Sequence, residues 1–120
     1  MEVRNKTNSA MLCSSYKLCS SLLSQARGLM FSKPLQDNCL VFVFSKPKKV
    51  VLHMVFVFFP IDILFLDTNK KVVEVMENVK PFTPHILPKR NAKYIVELPS
   101  STIKKTNTKV SHIIEFKKNI

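Results

Sequence analysis

Apolar and polar residues follow a strand-like period over much of the chain, and one stretch stands apart. Val50 to Asp67, VVLHMVFVFFPIDILFLD, is almost continuously apolar and is broken only by His53, Pro60, Asp62 and Asp67. Its β-branched and aromatic content suits a pleated surface, and apolar residues on both parities suit a strand covered on both faces. Pro60 removes a backbone donor and would break a helix in its middle. The stretch therefore predicts one strand over Val50 to Phe59 and a second over Ile61 to Leu66, with the core built on both. A transmembrane helix needs about 20 mostly apolar residues, and the interruptions at His53, Pro60 and Asp62 argue against a span.

The remaining chain predicts further strands around this pair. Met11 to Leu18 forms the first. Cys39 to Phe44 places Leu40, Phe42 and Phe44 on one face. Asp67-Thr68-Asn69-Lys70 is a hairpin turn in which Asn69 best tolerates positive φ, and Lys71 to Glu77 returns from it. In Lys93 to Leu98, Tyr94, Val96 and Leu98 face one way, with Lys93 and Glu97 the other. Val110, His112, Ile114 and Phe116 alternate in a last strand, and Pro99 to Thr108 is a polar connection. One short helix is expected near the start. Ser20 or Ser21 would cap it, Leu22, Ala26, Leu29 and Met30 would line it, and Gly28 would end it in a left-handed conformation. Six or seven short strands with one helix predict a single domain, mainly β, forming a small sandwich or barrel.

Asn78 to Asn91 resists this pattern. Pro81, Pro84 and Pro88 forbid a regular ladder, yet Phe82, His85, Ile86 and Leu87 interrupt its polarity. Long irregular segments with their own apolar residues are often packed loops that carry function.

Composition adds charge. The 120 residues hold 19 Lys and Arg against 8 Asp and Glu, a formal charge of +11. Such a balance suits anionic partners, nucleic acid among them, although scattered solvated lysine produces the same number. The cations fall in loops: Lys46, Lys48 and Lys49; Lys70 and Lys71; Lys89, Arg90 and Lys93; Lys104, Lys105 and Lys109. Nucleic-acid binding needs several on one face with aromatic platforms, whereas the aromatics here read as core residues of strands. Three cysteines without a Cys-x-x-Cys pair oppose a disulfide framework or thiolate zinc site, and the polar start Met1 to Ala10 lacks the apolar core of a signal peptide. Both point to a reducing cytoplasm.

Candidate chemistry is sparse. Asp62, between Ile61 and Ile63, is either an acceptor for backbone amides at the Pro60 corner or a functional carboxylate. His53 shares the parity of Val51, Val55 and Val57 and reads as a core or interface histidine. His85 lies in the proline-rich loop and is the exposed one. If Asp62 met His53 or His85, a hydrolase-like acid/base site would result. No close-spaced ligand motif, nucleophile elbow or glycine-rich phosphate loop is present, so no metal or cofactor is expected.

Arg27-Gly28-Leu29-Met30-Phe31, Leu40-Val41-Phe42-Val43-Phe44, His53-Met54, Phe59-Pro60-Ile61-Asp62 and Tyr94-Ile95-Val96-Glu97-Leu98 occur together in order. The set, over about Cys19 to Thr102, resembles the prokaryotic family called domain of unknown function 192, in its archaeal form. The resemblance implies a compact jelly-roll-like β-sandwich with a short helix near the start; because the family has no assigned activity, it carries over no catalytic residues. Glycines usual in the hairpin turn and after the Leu-Glu-Leu strand are replaced by residues such as Lys70 and Ser101. The resulting expectation is a non-catalytic accessory domain that binds a small ligand or protein partner. Arg27, Met54, Asp62, His85, Lys89 and Arg90 are its candidate binding residues. The alternatives are an RNA- or DNA-binding protein using the loop lysines, and a hydrolase or lyase using Asp62.

Overall fold

Alternation along the strands builds a large sheet whose two faces carry separate cores. The computed structural model describes residues 2–19, 29 and 32–117. Its strands are β1 (Val3–Asn5), β2 (Met11–Cys13), β3 (Ser15–Cys19), β4 (Asn38–Lys48), β5 (Ile61–Leu66), β6 (Val72–Val79), β7 (Ala92–Pro99) and β8 (Ile114–Phe116), and the helix α1 is Thr102–Thr106. Two open sheets result, ordered β2-β1-β8 and β3-β4-β7-β5-β6. All pairings are antiparallel except β3 with β4. The protein is thus a small, mainly β sandwich and not a closed barrel. The expected N-terminal helix and its Gly28 cap lie outside the described residues.

On the first face of the large sheet, Cys39, Val41, Leu64, Leu66, Val96 and Leu98 pack against Val3, Leu12, Ile114 and Phe116 of the small sheet and Ile103 of α1. On the second face, Leu40, Phe42, Ile61, Ile63, Phe65 and Ile95 lie beneath Met54, Val57, Phe59 and Ile86, which come from irregular segments. Each of the central strands β4, β5 and β7 sends one parity to each core. That is why β5 is buried at all six residues.

The strand expected over Val50 to Phe59 does not form. Only an isolated bridge, Leu52 to Ile86, occurs there. The long strands already pair with one another in the large sheet, so this segment lies across the second face instead. Met54, Val57 and Phe59 point down, and a turn at Val55–Phe56 closes with Val57 N donating to Met54 O at 3.1 Å. Tertiary context has overridden strand propensity, as it commonly does.

Smaller departures have local causes. The expected strand Met11 to Leu18 breaks at Ser14, whose N–H and hydroxyl donate to Asp37, so β2 and β3 join different sheets. In the hairpin, Asp67 Oδ1 accepts from Asn69 N and Lys71 N, and the positive φ falls on Lys70 (61°), not on Asn69. The expected connection Pro99 to Thr108 contains α1, entered through Ser101 at φ 74°. Lys70 and Ser101 therefore both hold a left-handed backbone. The last strand is only Ile114–Phe116, and Val110 is exposed. Among the described residues no helix is long and apolar enough to cross a membrane.

Candidate binding face

Two irregular segments, 49–60 and 80–91, lie side by side over the second core. Their register runs from Lys48 paired with Ala92, through Leu52 paired with Ile86, to a double contact in which Met54 N donates to Thr83 O (2.7 Å) and Phe82 N donates to Met54 O (2.9 Å). Met54 is the hub. Its side chain is buried in the second core, while its backbone groups bind the other segment.

The outer surface of this pair carries an aromatic cluster. Phe56, Phe58 and Phe82 are 42%, 61% and 47% exposed. The Phe58 and Phe82 rings meet edge-to-face at 5.0 Å, and those of Phe56 and Phe82 at 6.4 Å. Edge-to-face pairs add about 0.5–1.5 kcal/mol beyond burial. Phe56 and Phe82 also sit at φ 58° and 61°. A non-glycine residue held there costs roughly 1–2 kcal/mol. The expectation that the aromatics belong to strand cores therefore fails for these three. The alternation of Val55-Phe56-Val57-Phe58-Phe59 does mark Phe56 and Phe58 as sharing a parity; it does not say which parity faces water.

His53 and His85 line a shallow depression of about 390 Å³ beside this cluster, with Val51, Leu52, Val55 and Pro84. Both histidines are exposed, so of the core and interface readings of His53 the core one fails. His53 Nδ1 accepts a hydrogen bond from Val55 N at 3.2 Å. In the neutral ring this fixes the proton on Nε2 as an outward donor. At the opposite end, Lys89 N and Arg90 N donate to Glu74 Oε1 (2.8 and 3.1 Å), which pins the loop and leaves both basic side chains exposed. Lys93 is committed elsewhere, its Nζ donating to Phe44 O and Ser45 O.

Asp62 lies elsewhere. It is fully buried on the first face, on the parity of Leu64 and Leu66. Its Oδ1 accepts from Asn78 N (2.9 Å) and its Oδ2 from Ile103 N (2.8 Å). The carboxylate thereby ties the irregularity in β6 to the first turn of α1, which has no side-chain cap from Ser101. His53 and His85 belong to the cover of the other face, so the structure does not bring them together with Asp62. Arg27 lies outside the described residues. Among those residues no group of three or more His, Cys, Asp or Glu could hold a metal ion.

Glu97 was expected on the parity of Lys93, opposite Tyr94, Val96 and Leu98, and the structure places it there. It is buried on the second face, between Leu40 of β4 and Ile63 of β5. Burial pushes its carboxyl up to about 7. Desolvation of the charged form is the cause. The Tyr-x-Val-x-Leu period placed it correctly on the second parity. What it could not supply was the cover above that parity.

Comparison with known proteins places the chain. The profile of domain of unknown function 192 (Uncharacterized ACR) matches residues 3–116, wider than the stretch that carries the motifs. A UPF0127 protein of Thermococcus sibiricus is 30% identical over 114 residues, covering 93% of this chain and 72% of that protein. A UPF0127 protein of Pyrococcus horikoshii is 38% identical over 85 residues, 69% of this chain and 70% of its own length. Two solved structures share the fold. One is a protein of unknown function from Novosphingobium aromaticivorans (TM-score 0.85, 20% identity, 96% of this chain and 82% of that one). The other, from Sinorhizobium meliloti 1021, is described as a putative transcription regulator (TM-score 0.79, 22% identity, 83% and 79%). Such identities speak to the fold alone. Together, the profile match and the archaeal relatives show that the chain belongs to the domain of unknown function 192 family.

Proposed function

We propose that the chain is a non-catalytic binding domain whose recognition face is the paired segments 49–60 and 80–91. The observation that carries this reading is the aromatic cluster Phe56, Phe58 and Phe82: large apolar rings left partly in water, two of them on a backbone geometry that costs energy. Contiguous exposed apolar surface marks interaction sites, and strained residues persist where the surrounding structure imposes them. His85, Lys89 and Arg90 belong to the same face, and the shallow depression between the histidines suits a partner laid across it better than an engulfed substrate.

The chain contains no tryptophan, so a single indole can report on one face at a time. Phe58→Trp places it in the cluster, and Val110→Trp places it at an exposed position outside the two segments. Titration with an oligonucleotide, with anionic vesicles and with a proline-rich peptide is expected to shift the emission of Phe58→Trp for one of them and leave Val110→Trp unchanged. A flat Phe58→Trp signal across all three, or a shift confined to Val110→Trp, contradicts the reading.

A further inference from the structure

We propose that this face binds single-stranded nucleic acid, with bases against Phe58 and Phe82 and phosphates along Lys48, Lys49, Lys89 and Arg90; the proposal rests on the loop-face reading above and names its partner.

Charge comes first. No Asp or Glu occurs between Asp37 and Asp62, or between Glu77 and Glu97, so neither segment of the face carries an acid. The register set by Lys48 with Ala92 and Leu52 with Ile86 makes residues 49–51 run antiparallel to 87–91. Lys48 and Lys49 therefore share one end of the strip with Lys89 and Arg90, and all four are exposed. Lys48 Nζ lies 5.0 Å from the centre of the Phe44 ring, which holds it at that end. The Glu74 carboxylate is turned to the backbone N–H groups of Lys89 and Arg90.

Order along the strip comes second. Beyond the cations lie exposed Val51 and Leu87, then His53 and His85, then the phenylalanines. Lys49 to Met54, ahead of the turn at Val55–Phe56, spans at most about 17 Å. Cations at one end and rings at the other, joined by two exposed imidazoles, match the composition of a single-strand site: phosphates need charge and unpaired bases need π-faces. A duplex hides those faces. Groove reading needs an inserted helix or ribbon, and the five-residue α1 packs on the other side of the large sheet.

The test is fluorescence anisotropy with labelled oligo-uridine and oligo-thymidine of about ten nucleotides, a duplex of equal length, and phosphatidylserine vesicles in a parallel flotation arm. Single strands are expected to bind, and duplex more weakly. Neutralising three or four phosphates gives a salt slope near −0.7 per contact, so affinity should fall roughly 20- to 50-fold between 50 and 200 mM salt. Phe58→Ser/Phe82→Ser should weaken binding at least about tenfold with the salt slope kept, because stacking is lost and ion contacts are not. Lys49→Glu/Arg90→Glu should lower both affinity and slope by more than Lys104→Glu/Lys105→Glu, the same charge change made on α1. Circular dichroism and thermal melts confirm that each variant is folded. Absence of single-strand binding, equal binding of duplex, or wild-type affinity in the phenylalanine variant overturns the proposal. Vesicle binding that replaces oligonucleotide binding and disappears in the phenylalanine variant overturns it while leaving the loop-face reading intact. Binding of any of these probes that survives both loop variants unchanged overturns the two together.

Discussion

On one face of the five-stranded sheet the cover is a second sheet and a short helix; on the other it is two irregular segments. Beneath the first, the buried polar groups have local partners. Asp62 accepts two backbone amides, and Asn5, also fully buried, donates to Thr108 and contacts His112 while its carbonyl oxygen accepts from Thr7 and Asn8. Beneath the second, Glu97 is buried at a cost that shows in its raised carboxyl, and above it phenylalanines are held in water on a left-handed backbone. The difference teaches a division of labour. Satisfied groups and paired strands stabilise the first face, while the second keeps a cluster of exposed aromatic rings, the property of a surface shaped for contact.

Four outcomes would break or sharpen that division. The largest effect is expected from Asp62→Ala, which leaves the Asn78 and Ile103 amides without their acceptor. Hydrogen bonds to a charged group contribute about 1.5–3 kcal/mol each, so a loss on the order of 4 kcal/mol is expected in urea denaturation. A loss below about 1 kcal/mol would mean the first face does not depend on this carboxylate.

Next comes pH. Glu97 has a raised folded value of about 7 against an unfolded one near 4.5. The unfolded chain therefore releases this proton first, and stability falls as pH rises from about 4.5 to 7, then levels off. The drop should be about 3 kcal/mol. Glu97→Gln should flatten that segment of the profile and be the more stable protein at pH 8. An unchanged slope would show that Glu97 titrates normally.

Ser101 offers a smaller effect with the opposite sign. Ser101→Gly relieves a left-handed residue worth roughly 1–2 kcal/mol and adds unfolded-state entropy of about 0.5–1 kcal/mol, for a net gain of about 0.5–1 kcal/mol. Lys70→Gly should gain less, because Lys70 Nζ lies within 6 Å of the Tyr94 and Phe116 rings and that attraction would be lost. A destabilised Ser101→Gly in thermal melts would mean the turn is held by the serine and not strained by it. Phe58→Ser/Phe82→Ser should cost no more than about 2–3 kcal/mol, since the removed rings are half in water and give up one edge-to-face contact. A much larger loss would place those rings among the supports of the fold and not on a contact surface.

The strands were legible where alternation or a fully apolar run met a clear turn signal: β5, its hairpin with β6, β4 and β7 all follow from residue pattern, as does the family. Val50 to Phe59 was misread because its composition is that of a buried strand, and nothing local says that the sheet beside it is already paired. The helix α1 escaped notice because its first turn is capped by Asp62, 41 residues away in sequence. Asp62 itself was legible as a buried acceptor at the Pro60 corner, but its partners were not. The candidate face was half visible. The proline-rich segment stood out, yet the phenylalanines that define the surface looked like core, because parity alone does not show which side is covered.

The most direct measurement is a backbone amide chemical-shift map of the labelled protein at saturating oligo-uridine. The account predicts perturbations concentrated in 48–58 and 80–91, with Phe58 and Phe82 among the largest and the β2-β1-β8 sheet undisturbed. Perturbations centred on 2–13 and 110–117, or none at all at saturation, would contradict it.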